Sequence, residues 1–349
     1  MSIDSDDAWE KAQDELAAAG RSDGLPLVPP TPERIERMLK PHGFRRDAVV
    51  AKLMPAFADA TWRNIAENAV MAGCRPEYLP VIGAAIEALA VDEFNLLGIQ
   101  TTTGSATPVV IVNGPVAGAI GMNAAGNALG PGNRANATIG RAMRLVLQNV
   151  GGAIPGVGDM ATLGQPGKYT FCFAENEAAS PWPPLHVERG YAADISVVTV
   201  VGASGIVEIV DSSSASAEDL IHTYANSMLI AGTISMSGFI GGGEPLIIMP
   251  PEHAVFLSGA GYTKEQVKAA IFETVQYPLA RLSPYVRARL MASRRVLDAA
   301  SVASPVRLAA TAKDVMIVVA GGVGIKAAYV PTWSGGTRAV SCKVPAGRA

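Results

Sequence analysis

The sequence predicts an α/β fold with mixed, partly parallel sheets, on three observations. Short stretches whose interior positions are all apolar, such as TPVVIVN, PLIIM and DVMIVVA, recur along the chain. A strand that is apolar on both faces is one that lies buried in a layered sheet. Segments with helical periodicity alternate with these stretches, and glycine-rich strand-to-helix loops join them.

Taken in order, residues 7–20 read as an amphipathic helix. DGLPLVPPTPERIERMLK passes from an extended proline-rich piece into a helix, with Thr31 as its cap, Pro32 at its first position and Glu33 in its first turn. Residues 48–53 read as a strand, and 61–73 and 77–90 as two helices separated by GCRP. Residues 107–112 form a buried strand, 113–133 a loop dominated by glycine and asparagine, and 136–149 a helix. A second glycine-rich loop, GGAIPGVGDMATLGQPGK, feeds a strand at 169–174. After the elbow SPWPPLHVERG come strands at 195–201 and 205–210, then a helix at 216–231. A strand at 246–249 is followed by a helix opening at Glu252, and Thr263 caps the helix TKEQVKAAIFE. Residues 278–300 read as a long Arg-rich amphipathic helix. Residues 314–320 read as a buried strand whose exit, GGVG, is typical of a strand-to-helix turn, and 338–344 as a final strand. No internal sequence repeat is visible. The chain divides into an N-terminal helical and extended arm (1–45), an α/β region carrying the Gly/Asn loop (46–190) and a second α/β half (191–349) that is either separate or continuous with the first.

The chain has 349 residues, 49% hydrophobic and 17% charged, with net charge −3. That balance gives no general affinity for nucleic acid or for an anionic membrane. The long uncharged stretch from Phe94 to Asn133 is broken by Gly, Pro, Asn and Thr, so it does not read as a membrane span. The acidic N-terminus does not read as a signal peptide. Three cysteines, Cys74, Cys172 and Cys342, without CxxC spacing suggest reduced thiols and a cytoplasmic protein.

The Gly/Asn loop is the most informative stretch. Glycine lets backbone approach a ligand, asparagine carries both a donor and an acceptor, and the helix that follows offers free N–H groups. Arg134 and Arg141 add planar donor forks. We read a site for a small anionic metabolite, carboxylate- or phosphate-bearing, with Asn113, Asn133, Arg134, Asn136, Arg141 and Lys168 as its binding residues. Glu175 in FAENE and His253 in MPPEHA are the candidate proton carriers, since each sits at a strand end or helix start. His186, Glu188 and Arg189 follow in the elbow, and Glu244 stands beside a triple glycine. Cys74, beside Arg75, is a candidate nucleophile set against a packing role. The reaction class expected is lyase, hydratase or hydrolase. The alternative is an enzyme using a divalent metal held by His186, His253 and glutamates, although no HxH, HExxH or CxxC is present. GQPGKYT lacks P-loop spacing, and DVMIVVAGGVGIKAA lacks GxGxxG. The low charge and the 278–300 helix lead us to expect a homo-oligomer.

DGLPLVPPTPERIERML and MPPEHAVFLSGAGYTKEQVKAAIFE resemble proteins of the UGSC-type bacterial family, named for a U/C-G-S-C motif built on selenocysteine or cysteine. RANATIGRAMRLVLQNVGG and the stretch GQPGKYTFCFAENEAASPWPPLHVERG resemble uncharacterised proteins of the same grouping. The resemblance covers most of the chain in patches. This chain contains no U/C-G-S-C; its nearest text is Thr103-Gly104-Ser105-Ala106. The resemblance therefore implies either a non-redox branch or a non-catalytic partner subunit of a UGSC-type protein.

Overall fold

The computed structural model describes residues 6–229, 243–277, 280, 283–285, 288, 307–333 and 335–345. The predicted helix at 278–300 and the triple glycine at 241–243 fall largely outside the described residues. In chain order the helices are α1 (Asp6–Ala18), α2 (Pro32–Leu39), α3 (Trp62–Ala72), α4 (Leu79–Leu89), α5 (Leu96–Thr101), α6 (Pro115–Ala119), α7 (Arg134–Asn149), α8 (Leu185–Glu188), α9 (Ala217–Ser227), α10 (Pro251–Gly259) and α11 (Lys264–Thr274). The strands are β1 (Val49–Leu53), β2 (Ala58–Thr61), β3 (Thr107–Asn113), β4 (Cys172–Ala174), β5 (Val197–Ala203), β6 (Val207–Val210), β7 (Leu246–Met249), β8 (Met316–Val319), β9 (Lys326–Val330) and β10 (Val340–Lys343).

The fold is α/β, as the pattern predicts. β1 and β2 form a hairpin, and the other strands form two four-stranded sheets, ordered β10-β5-β3-β4 and β6-β9-β7-β8. In the first, β3 runs parallel to β4 and antiparallel to β5, which is antiparallel to β10. In the second, β7 runs parallel to β8 and antiparallel to β9, which is antiparallel to β6.

The two sheets are one plan used twice. Each half supplies a first strand, a helical crossover, a parallel second strand and an antiparallel third. Its fourth strand then leaves to edge the other sheet. The registers agree: the row Cys172–Val110–Val200–Val340 matches the row Ile317–Ile247–Tyr329–Val207. The segments cross where Ser204 N donates to Pro331 O and Trp333 N to Gly202 O. The repeat is one of topology, with no counterpart in the residues. The GGVG exit leads into β9 rather than into a helix. A division at 190/191 cuts through the first sheet, because β5 lies in the same sheet as β3 and β4.

Period-2 alternation sorts each strand between two cores. Val109, Ile111, Phe171, Phe173 and Val201 meet Leu246, Ile248, Met316, Val318 and Val330 in a core between the sheets. Val110, Val112, Val198 and Val200 face outward onto α3, α4 and α7. Ile247, Met249, Ile317 and Val319 face α9, α10 and α11. The result is four layers, helix–sheet–sheet–helix. Among the described residues no helix is long and apolar enough to cross a membrane.

Candidate active site

The site begins with Glu175, just past the end of β4. Its carboxylate is buried and accepts from Asn113 Nδ2 at 2.7 Å, Leu185 N at 2.7 Å and Val319 N at 3.4 Å. One side chain therefore ties β3, β4, α8 and β8 together. Burial pushes its carboxyl above the ordinary range, against the opposing charge of Lys264 and the three donors. With its oxygens on fixed donors, Glu175 pins these elements together. What it positions is α8, whose first amide it holds.

α8 ends in Glu188 and Arg189. On α11, Lys264 and Lys268 stand one turn apart on the buried face, behind a capping box of Thr263 and Gln266. Lys264 Nζ lies 3.1 Å from Glu188 Oε2, and Lys268 donates to Glu188 Oε1. Burial raises the Glu188 carboxyl, but the two lysines outweigh burial and hold it below the ordinary range. Arg189 reaches the exchanged strand β10, donating to Ser341 Oγ and, at 2.7 Å, to Ala339 O. Glu244, just before β7, accepts from Ala339 N. Burial raises its carboxyl above the ordinary range despite that donor and the nearby Arg189 and Arg338.

Glu188, Arg189, Glu244 and Lys268 line one open cavity of about 550 Å³, with Tyr191, Glu265, Lys313 and Ser341 in the same wall. Glu188 and Arg189 come from the first half of the chain, and Glu244, Lys268, Lys313 and Ser341 from the second. Two carboxyl groups in one cavity thus have opposite protonation tendencies. Environments that push a pair of carboxyls apart in this way favour the protonated form of one and the charged form of the other. Lys268, Arg189 and Lys313 face the same space, together with a third carboxylate, Glu265.

The other residues singled out in the sequence are dispersed. Asn113 is bonded to Glu175 and, at 3.0 Å, to Glu177. Asn133 caps α7, and Asn136 staples the Gly/Asn loop by accepting from Asn123 N and donating to Asn123 O and Ala128 O. In that loop Gly126 meets Gly322: a Cβ on Gly322 would lie 2.7 Å from Gly126 Cα. There the glycines serve backbone against backbone. Arg141 is closed in a bidentate pair with Asp23. Lys168 donates to both oxygens of Asp159, beside the buried Arg144, in a cavity of about 610 Å³ under the second glycine-rich loop. Arg134 grips Gly73 O.

Cys74 is buried and donates to Thr138 O, and burial pushes its thiol up to about 12. This corrects the nucleophile reading, because desolvation outweighs the favourable charges of Arg134 and Arg141. His253 is buried with Nδ1 2.8 Å from Tyr224 Oη, and burial lowers its pKa, so the ring is neutral. It lies in the helical layer behind the second sheet rather than among the cavity groups. Among the described residues no group of three or more His, Cys, Asp and Glu side chains is placed to hold a metal ion.

Sequence reasoning weighed Glu188, Arg189 and Glu244 but passed over Lys268, Tyr191 and Ser341. A readable signal existed for the lysines: Lys264 and Lys268 share the helix face of Val267 and Ile271, where an amphipathic pattern calls for apolar residues. No family model matches the chain, and no curated protein or solved structure is detectably similar to it.

Proposed function

We propose that this chain is an enzyme that moves protons on a small anionic metabolite, in a lyase, hydratase or hydrolase reaction. The observation that carries the reading is the pair Glu188 and Glu244, with opposite protonation tendencies in one cavity that also holds Arg189, Lys268, Lys313 and a third carboxylate, Glu265. Glu244 is the group that gives and takes the proton. Glu188 stays ionised and orders Lys268. Lys268, Arg189 and Lys313 hold the carboxylate or phosphate of the substrate. The test is incubation with a panel of hydroxy and unsaturated carboxylic acids and phosphate esters in D₂O, followed by NMR. Wild type is expected to exchange or add deuterium on at least one, Glu244→Gln to bind it without exchange, and Lys268→Ala to lose binding. Absence of binding by any member at millimolar concentration sinks the reading.

A second reading, a non-catalytic partner of a UGSC-type subunit, is favoured by one surface feature. Ile154, Val157, Met160, Leu163 and Tyr169 are all exposed in the second glycine-rich loop, Leu163 at 94%. Apolar groups gathered in one loop suit a protein contact. Copurification from the native source and sizing separate the two: a lone chain with its own turnover excludes the partner role.

A further inference from the structure

A second recess lies away from the acid/base cavity, between α2, the end of α3 and the start of α7. Its volume is about 130 Å³, and its wall contains Arg34, Arg37 and Arg134 with Val28, Met38, Val70, Gly73, Cys74 and Pro76. No carboxylate lines it. Of the nearest acids in sequence, Glu36 pairs with Arg46 at 3.2 Å, Glu77 lies 3.9 Å from Arg75, and Glu33 is exposed in the first turn of α2.

The three guanidinium groups are held to different degrees. Arg134 spends Nε and Nη2 on Gly73 O, at 3.0 and 2.8 Å, which fixes its plane and leaves Nη1. Arg34 spends Nη1 on Pro29 O at 2.7 Å and keeps its other donors. Arg37, one turn further along α2, has no hydrogen bond or ion pair among the described residues. Arg134 is also the first residue of α7, a helix of 16 residues, so the positive end of its dipole adds to the field. The thiol of Cys74 does not answer the charge, since it stays protonated.

We propose that this recess binds a phosphate group. Three guanidinium groups carried by two helices line one small recess with donors to spare, which suits a tetrahedral dianion. A planar carboxylate is satisfied by one fork. The recess admits a single such group, and Arg37 and Arg134 are exposed, so anything esterified to the phosphate lies outside in solvent.

The site is independent of the acid/base cavity and is tested separately, by calorimetry at constant ionic strength with inorganic phosphate, phenyl phosphate and acetate. Saturable binding of one or both phosphates, with none of acetate, is expected. Arg37→Ala is expected to weaken it at least tenfold, while circular dichroism and the melting temperature in phosphate-free buffer stay as in wild type. Tighter binding of phenyl phosphate identifies a phosphate monoester as the natural ligand, and tighter or equal binding of inorganic phosphate identifies the free ion. No saturable binding of either phosphate overturns the proposal, as does unchanged affinity in Arg37→Ala.

Discussion

Removing the Glu175 carboxylate separates a structural pin from a catalytic group. In Glu175→Ala, Leu185 N and Val319 N lose their acceptor in a place water does not reach, and Asn113 Nδ2 loses one of its two, keeping Glu177 Oε1. Each orphaned buried donor costs about 1–3 kcal/mol. Two donors are orphaned and the contact to Val319 is long, so the sum lies in the lower part of about 2–6 kcal/mol, before any cavity is counted. Lys264 offsets little of this, because it keeps Glu188 and Pro183 O as partners. In Glu175→Gln the amide oxygen still serves Asn113 and Leu185, while its NH₂ faces Val319 N and the Lys264 ammonium. The expected cost is smaller, about 1–3 kcal/mol. Urea denaturation, read as a midpoint shift at unchanged slope, measures both. If Glu175→Ala costs under about 1 kcal/mol, the pin does not exist. If Glu175→Gln abolishes turnover at wild-type stability, Glu175 belongs to the chemistry instead.

Two further outcomes follow from the same contacts. Gly322→Ala drives a methyl into the Gly126 backbone at 2.7 Å and is expected to cost about 1–3 kcal/mol. Gly118→Ala, in α6 with open space around it, should gain about 0.5–1 kcal/mol, so equal melting points for the two variants would refute the contact. Glu244 has a raised carboxyl in the folded chain, so its contribution to stability is complete below the unfolded value of 4.5 and is lost as pH rises through the folded value. Wild type should therefore lose stability relative to Glu244→Gln as pH climbs above about 4.5, and parallel urea midpoints across that range would contradict the assignment.

The layers were legible because they rest on local pattern. TPVVIVN, PLIIM and DVMIVVA are apolar at every position but their polar ends, and a strand covered on both faces accommodates that. Thr31, Thr61 and Thr263 cap helices through contacts three residues away, a distance a reader of sequence can span. The site was less legible because its residues owe their roles to distant partners. Arg141 looks like an anion binder until Asp23, 118 positions away, closes on it. Glu175 looks like a base until Val319 and Leu185 take its lone pairs. The glycines of the Gly/Asn loop looked like a cradle, yet Gly126 makes room for Gly322. In each case the residue type was read correctly and its neighbour was not in view.

The exchange of edge strands has a consequence for the order in which the molecule is made. As the chain emerges from the ribosome, β3, β4 and β5 are complete long before β10, yet only β10 covers the open side of β5. Until then the nascent first sheet presents a row of unpaired amides and carbonyls, a template for any other extended chain. β6 meanwhile waits for β9. Neither half can mature and then dock; they close on each other in one late step that joins distant segments. Such closure is slow and leaves adhesive intermediates. Chaperone capture during synthesis, and failure of either half when expressed alone, are the signatures this topology carries. The same late step completes the cavity of Glu188 and Glu244, because Ser341 and the anchor for Arg189 arrive with β10.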